Sequence, residues 1–328
     1  MTTTDLTPFP AARFIKEIGR GKKGARSMSR DDARDLYQAM LDGRVSPLEM
    51  GGVLLAMRIK GESVQEIAGF LDAAEASFAP LSAPAGPFAP IVIPTYNGAR
   101  KLANLTALLA LLLAREGVPV LVHGVPEDVG RVATAEVLAA LGVKPAQDHA
   151  EAEEAMAQGR VAFITIDTLA PKLAHMLSLR RILGVRNSTH TLVKIMQPFV
   201  GPALRLVSYT HPEYLEMLGE YFTTEALPER GDAFLMRGTE GETVANANKA
   251  QQIDWFHGHL RTTLVPKQVE VGALPDLPEE KDAAITAAWI ARVLNGEIPV
   301  PPPIAEQVAQ CLLVSRKLQS RQHASEPL

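Results

Sequence analysis

The chain has 328 residues, 47% of them apolar and 21% charged, a formal net charge of −4 and a single cysteine, Cys311. That length allows one large or two ordinary globular domains, and one cysteine excludes both a disulfide framework and a cysteine-based metal site. The most apolar run, 102–114, is too short for a bilayer and contains Asn104 and Thr106. The opening MTTTDLTPFP lacks the charged, then apolar, then small-residue order of a signal peptide, so a cytoplasmic chain without membrane attachment is expected.

Residues 12–78 read as helices with clear start signals. Ser29 precedes Ala33, Leu36, Tyr37, Met40 and Leu41, an apolar stripe of helical period, and Asp31 and Asp32 fall in the first turn, where the helix dipole favours acids. Ser46-Pro47-Leu48-Glu49 and Ser63 to Glu66 are two capping boxes, the first with proline at the opening helical position. Residues 79–90 (APLSAPAGPFAP) hold four prolines in twelve positions and form a semi-rigid connector, the clearest domain boundary.

Beyond that connector, in 91–328, strands are predicted at 91–93, 118–122, 161–166, 204–208 and 233–236. Helices are predicted at 101–116, 131–141, 150–157, 170–183, 189–196, 212–222 and 281–294, with a last one through 317 and a frayed tail from 320. Such alternation implies a mostly parallel sheet with helices on both faces. Its first unit, 91–124, is strand, loop with Asn97-Gly98, helix and strand. The loop lies where open α/β sheets bind phosphates, at a strand's carboxyl end and a helix's amino end.

Charge is segregated. Arg13, Lys16, Arg20, Lys22, Lys23 and Arg26 lie close together with one acid, Glu17. Lys172, Arg180, Arg181, Arg186, Lys194 and Arg205 fall in 168–211, which has no acid. Two such clusters on a mildly acidic chain suggest an anionic partner at one face, or else two solvated faces. Gly19, Gly21 and Gly24 interrupt the first cluster, which makes it a loop. Arg186 has a plainer role available, capping a helix C-terminus, and His190 that of a satisfied core histidine. His257 and His259 (WFHGH) have metal-pair spacing, but no nearby cysteine or carboxylate completes a site.

Two segments carry a family resemblance. Residues 50–74 (MGGVLLAMRIKGESVQEIAGFLDAA) and 91–142 resemble the helical signature and the phosphoribosyl-pyrophosphate loop, helix and strand of anthranilate phosphoribosyltransferases. Residues 181–198 and 233–241 can be laid on two more of their motifs. The resemblance implies a helical domain (1–78), joined by mid-chain helices near 189–196, and an α/β domain (91–328). It also implies dimerisation through the helical domain.

The departures fall where the chemistry belongs. The family's Gly-Thr-Gly-Gly-Asp loop matches Ile93-Pro94-Thr95-Tyr96-Asn97, which loses the glycines that let backbone approach a pyrophosphate. Its lysine before His-Gly is Val122, and its Mg²⁺-holding Asp-Glu pair falls on Thr243 and Val244. Glu240 and Glu242 are the nearby carboxylates available to replace that pair. Mg²⁺ requires hard oxygen ligands, so neither metal nor cofactor is expected. Asn97, Gly98, Arg100, Lys101, His123 and Arg131 remain as a vestigial phosphate loop, without a catalytic set.

Residues 15–26 (IKEIGRGKKGAR), 184–199 (GVRNSTHTLVKIMQPF) and 208–214 (SYTHPEY) resemble the YbiB-type branch of that family. That resemblance implies an inactive homodimer binding DNA or RNA without sequence preference, with Lys16, Arg20, Lys22, Lys23, Arg26, Arg180, Arg181, Arg186, Lys194 and Arg205 on phosphates. With aromatics at 5% and no arginine–aromatic interleaving, base stacking is not expected. The alternative is a glycosyl or phosphoribosyl transferase, or a phosphorylase, acting on another substrate.

Overall fold

The computed structural model describes residues 7–21, 23–249, 251–267 and 276–325. Four helices come first: α1 (Ala12–Ile18), α2 (Arg30–Leu41), α3 (Pro47–Lys60) and α4 (Val64–Glu75). Ser29, Ser46 and Ser63 cap the last three as their spacing implies, each accepting the amide three residues on. The Glu66 carboxylate does more than close its box. It is fully buried and accepts from the Met28 and Ser63 amides and from Lys60 Nζ at 2.6 Å, which pins the 19–28 loop to the end of α3. Gly69 brings α4 onto α2, since a Cβ there would lie 2.1 Å from the Arg30 carbonyl oxygen.

The rest is an eight-stranded sheet with helices on both faces. Its strands are β1 (Ile91–Thr95), β2 (Val120–Gly124), β3 (Pro145–Ala146), β4 (Ala162–Thr165), β5 (Ala203–Tyr209), β6 (Gly231–Arg237), β7 (Ile253–His257) and β8 (Leu260–Val265). The order is β3-β4-β2-β1-β5-β6-β7-β8, parallel as far as β6 and antiparallel beyond. Side chains alternate between two cores, as the period of a strand requires. Val92, Leu121 and Ile164 join the core shared with the helical domain; Ile91, Ile93, Val122 and Phe163 point into the other.

The remaining helices are α5 (Thr106–Arg115), α6 (Thr134–Ala140), α7 (His149–Ala157), α8 (Ile166–Leu169), α9 (Pro171–Ser178), α10 (Arg180–Leu183), α11 (Thr189–Ile195), α12 (Pro212–Thr224), α13 (Ala283–Leu294) and α14 (Pro302–Ser325). Helix α11 packs on α4 and is tied to α2 by a buried 2.7 Å hydrogen bond between Tyr37 Oη and Thr189 Oγ1. Arg30 grips Asp72 with two nitrogens at 2.7 and 2.8 Å and reaches Glu225 after α12, which also accepts from Gln65. The helical layer is thereby fastened to the α/β layer.

Several expected bounds shift for local reasons. The strand expected at 161–166 stops at Thr165, whose side chain accepts from the Thr168 amide and starts α8. The helix expected at 170–183 is two pieces, and the tail expected to fray from 320 stays helical to Ser325. The missed β7–β8 hairpin turns through Gly258 and His259, both at positive φ, as a two-residue turn requires. The WFHGH histidines therefore occupy a hairpin, with His257 stacked on Trp255 at 3.9 Å. Among the described residues no helix is long and apolar enough to cross a membrane.

Candidate functional site

The loop after β1 folds tightly. Thr95 Oγ1 meets Thr134 Oγ1 at 2.6 Å, Gly98 takes φ of 63°, and Ala99 pairs with Val132. The amides of Asn97, Gly98, Arg100, Lys101 and Leu102 thus become available for an anion, and the protein supplies its own. Glu242 Oε1 accepts from Asn97 and Gly98 at 2.8 and 2.7 Å. The Glu240 carboxylate accepts from Arg100, Lys101 and Leu102 at 2.7, 3.0 and 3.2 Å. Burial pushes the Glu240 carboxyl up, but those three amides outweigh it and hold it below the usual carboxylate value.

Both carboxylates belong to the turn after β6. Gly241 at φ of 95° lets that turn press on Asn97, whose side-chain amide donates to the Gly241 carbonyl at 2.7 Å. Ser208 Oγ donates to the same carbonyl at 2.8 Å. The two nearby carboxylates that could have replaced the metal ligands accept from backbone amides instead. Thr243 and Val244, at the family's metal-ligand positions, are buried, so at most one neutral hydroxyl would face an ion. Mg²⁺ does not fit that set. Among the described residues no group of three or more His, Cys, Asp or Glu could hold a metal ion.

The other vestigial residues are equally engaged. Arg131 Nη1 donates to the Asn97 carbonyl at 2.9 Å, and its Nε lies 3.6 Å from Asp128. His123 is fully buried, with Nδ1 2.7 Å from Tyr96 Oη and Nε2 without a partner among the described residues. Burial pushes its pKa down to about 3, which keeps the ring neutral near pH 7. Arg100 and Lys101 serve through their amides while their side chains are exposed.

Beside this closed loop lies an open cleft of about 560 Å³ between the end of α3, α11, the carboxyl end of β5 and the start of α12. Arg58, Arg186, His190, Lys194, Tyr209 and Tyr214 are on its walls. The cations repel one another. Burial, then Arg180 and Arg131, push the Arg186 guanidinium down. Lys194 is pushed down to about 8 by burial and by Arg186 and Arg131, against a partial pull up from Glu242. His190 falls to about 3, again chiefly by burial, with Arg186 next. Arg186 donates to Asn97 Oδ1 at 3.1 Å, so the same asparagine bounds loop and cleft.

The basic residues expected on phosphates do not all reach a surface. Lys16, Lys23, Arg26, Arg180 and Arg181 are exposed, as is Arg20, which pairs with Glu17 at 2.6 Å. Lys22 lies outside the described residues. Arg186 and Lys194 are half-buried in the cleft. Arg205 is a correction: it is 2% exposed on β5, donates to the Ile195 carbonyl and lies over the Phe222 ring, out of reach of any strand. Alternation sets it opposite Leu204 and Leu206, on the face with Ala203 and Val207, and the packing of α11 and α12 on that face buries it.

Sequence reasoning passed over Arg58, Tyr209 and Tyr214 as site residues. Arg58 had a signal, a charge between Met57 and Ile59 in the last turn of α3. The tyrosines had none, since only the fold brings SYTHPEY against Arg186 and Lys194; cations and aromatics that do not interleave in sequence do so in space.

Residues 12–77 match the helical bundle domain of a glycosyl transferase family, and 97–323 match that family's a/b domain. The uncharacterized protein YbiB of Escherichia coli (strain K12) is 45% identical over 304 residues, 92% of this chain and 93% of that protein. Anthranilate phosphoribosyltransferase 2 of Ralstonia nicotianae is 32% identical over 288 residues, 85% of this chain and 80% of the relative. The crystal structure of anthranilate phosphoribosyltransferase (TrpD) from Thermus thermophilus matches with a TM-score of 0.71 at 25% identity, covering 94% of this chain and 89% of that one. The chain belongs to this glycosyl transferase family and has the anthranilate phosphoribosyltransferase fold, a helical domain joined to an α/β domain.

Proposed function

We propose that the chain binds nucleic acid through the phosphate backbone and performs no phosphoribosyl transfer. The observation that carries this is a set of cations without acids. Among the described residues, Lys16, Lys23, Arg26, Arg58, Arg180, Arg181, Arg186 and Lys194 form no ion pair, although acids outnumber bases in the chain. The 19–28 loop and the cleft meet at the end of α3, where Lys60 Nζ donates to Ser27 Oγ at 3.3 Å and Gly61 borders the cleft. Backbone contacts release counterions, so affinity should fall with salt by about 0.7 log units per log unit for each phosphate on a single strand.

The same reading includes a homodimer. Leu48, Leu55 and Ile59 on α3 are 88%, 48% and 68% exposed, and Ile182 on the neighbouring α10 is 81% exposed. A second copy covering this apolar face would double the basic surface along an extended strand.

Family membership favours a second reading, glycosyl transfer with an unidentified substrate. Against it stand two carboxylates in the phosphate loop and, among the described residues, the lack of a fitting metal-ligand set. Titration of labelled single- and double-stranded DNA at two salt concentrations, beside an assay with phosphoribosyl pyrophosphate, anthranilate and Mg²⁺, separates the two. Salt-sensitive binding without turnover is the expected result. Turnover, or no binding at low salt, overturns the first reading.

A further inference from the structure

The cleft differs in kind from the basic loop. It is concave, and its volume of about 560 Å³ falls within the range of about 300–1,000 Å³ usual for small-ligand sites. Its cations Arg186 and Lys194 are half-buried, whereas Arg20, Lys23 and Arg26 of the loop are exposed. Strand backbone tracked along a surface needs no such recess. The acids on its walls do not neutralise it: Glu62 is turned to Ser188 Oγ, which donates to it at 2.6 Å, and Glu213 is exposed on the first turn of α12.

Two features define what fits. Among the described residues Lys194 has no hydrogen-bond or ion-pair partner, and Arg186 uses one nitrogen on Asn97, so an ammonium and most of a guanidinium fork stay free for an anion. Both line one cleft, and Arg180 and Arg131 add to their field, offset in part by Glu242 at Lys194 and Asp128 at Arg186; two cations there suit a dianion better than a singly charged diester. Tyr209 and Tyr214, half-buried and with no hydroxyl partner among the described residues, offer ring faces and polar tips to an aromatic body attached to that anion. The closed loop borders the cleft through Asn97, which accepts from Arg186.

We propose that the cleft receives a single nucleoside phosphomonoester, its phosphate between Arg186 and Lys194 and its base against Tyr209 and Tyr214. This rests on the nucleic-acid reading where the unit is the phosphorylated end of a strand; a free mononucleotide presents the same chemistry.

The test uses the full chain and fluorescence anisotropy with one single-stranded oligonucleotide, labelled internally, carrying a 5′-phosphate, a 3′-phosphate or hydroxyls at both ends. Adenosine 5′-monophosphate and inorganic phosphate serve as competitors and are titrated directly by calorimetry. One phosphorylated end should bind at least tenfold tighter than the hydroxyl-ended strand at equal salt, and the mononucleotide should remove that increment at lower concentration than inorganic phosphate does. Lys194→Met should cancel the increment. Tyr214→Ala should bring mononucleotide and inorganic phosphate to similar affinity, which a merely structural lysine or tyrosine would not do. Circular dichroism and thermal melting check both variants for folding. Equal affinity for all three ends together with no calorimetric binding of the mononucleotide overturns the proposal, and leaves the nucleic-acid reading standing if the strands bind. Mononucleotide binding without strand binding upholds the cleft and overturns that reading.

Discussion

Glu242 Oε1 lies 2.7 Å from the amide nitrogen of Gly98, 144 residues away in sequence. A negatively charged side chain thus sits where the fold presents amides to a phosphate. The relation accounts for three features at once: the lost glycines, the unfit metal positions and the positive φ of Glu240 and Gly241. It also gives the phosphate loop a purely structural use.

Releasing that contact should therefore cost stability and restore anion binding. Glu242→Ala leaves two buried amides unpaired and should destabilise the fold by about 2–4 kcal/mol in urea titrations. Glu242→Gln, which keeps an acceptor, should lose less. With the cleft silenced by Lys194→Met, adding Glu240→Ala and Glu242→Ala should let inorganic pyrophosphate raise Tm, whereas Lys194→Met alone should not respond. A shift in Lys194→Met alone would mean that the loop is not closed.

Acid should weaken the fold through His123. Its folded pKa is about 3 against an ordinary 6.5, so below pH 6.5 the unfolded chain takes up a proton that the folded chain refuses. Stability is fully present above 6.5 and falls by about 1.4 kcal/mol per pH unit for this group as the pH drops toward 3. His190, depressed in the same direction, adds to the slope. Unfolding free energies at pH 7.5 and 5.0 should diverge less in the Tyr96→Phe, His123→Phe double variant, which removes the hydrogen-bonded pair together.

Lys194 should act at the alkaline end of the scale. Its folded pKa of about 8 lies below 10.5, so between those values the unfolded chain binds more protons and stability rises with pH. At pH 7 the buried charge is a liability that an apolar side chain removes. Lys194→Met should be more stable than the parent at pH 7, and the difference should shrink by pH 10.5. A destabilised Lys194→Met at neutral pH would show that the ammonium has a partner.

Gly69→Ala tests how the helical layer is packed. The new methyl would meet the Arg30 carbonyl oxygen and force α2 and α4 apart, at about 3 kcal/mol, with a lower Tm. Loss of the Arg30 grip on Asp72 and Glu225 should accompany it, so the variant should gain less from low salt than the parent.

Leu55→Glu with Ile59→Glu should abolish the proposed dimer in sedimentation equilibrium without changing the far-ultraviolet spectrum, because both side chains are exposed. Nucleic-acid affinity should drop with it, by the loss of the second basic surface. A parent chain that sediments as a monomer would refute the assignment of this face.

Local signals carried much of the fold. Ser29, Ser46 and Ser63 announce their helices because a cap is a contact over three residues. Ile91, Val92 and Ile93 announce a strand covered on both faces. The β7–β8 hairpin was hidden because its turn uses Gly-His in place of the usual Asn-Gly, and Thr165 ended a strand by a side-chain cap that β-propensity does not register. The site was legible only as loss. Pro94 and Val122 tell what is missing; nothing local says that Glu242 fills the loop, since the contact depends on β6 ending beside β1's neighbour β5. Arg205 misled for the complementary reason: its charge and its alternation with Leu204 and Leu206 both suggest surface, and only the packing of α11 and α12 on that face of β5 buries it.

The closed loop has one more consequence, which concerns concentration. A tethered group competes with free ligands at an effective concentration set by its tether, on the order of millimolar even for a flexible linker. Here the tether is a short turn held by Ser208 and Asn97, so the carboxylates do not become diluted as free ligands do. Phosphorylated sugars, whose supply rises and falls with metabolism, meet a site whose occupancy is constant. The open cleft next to it has no such resident. On the readings proposed above, the chain is deaf to one class of metabolite at the loop and receptive a single asparagine away.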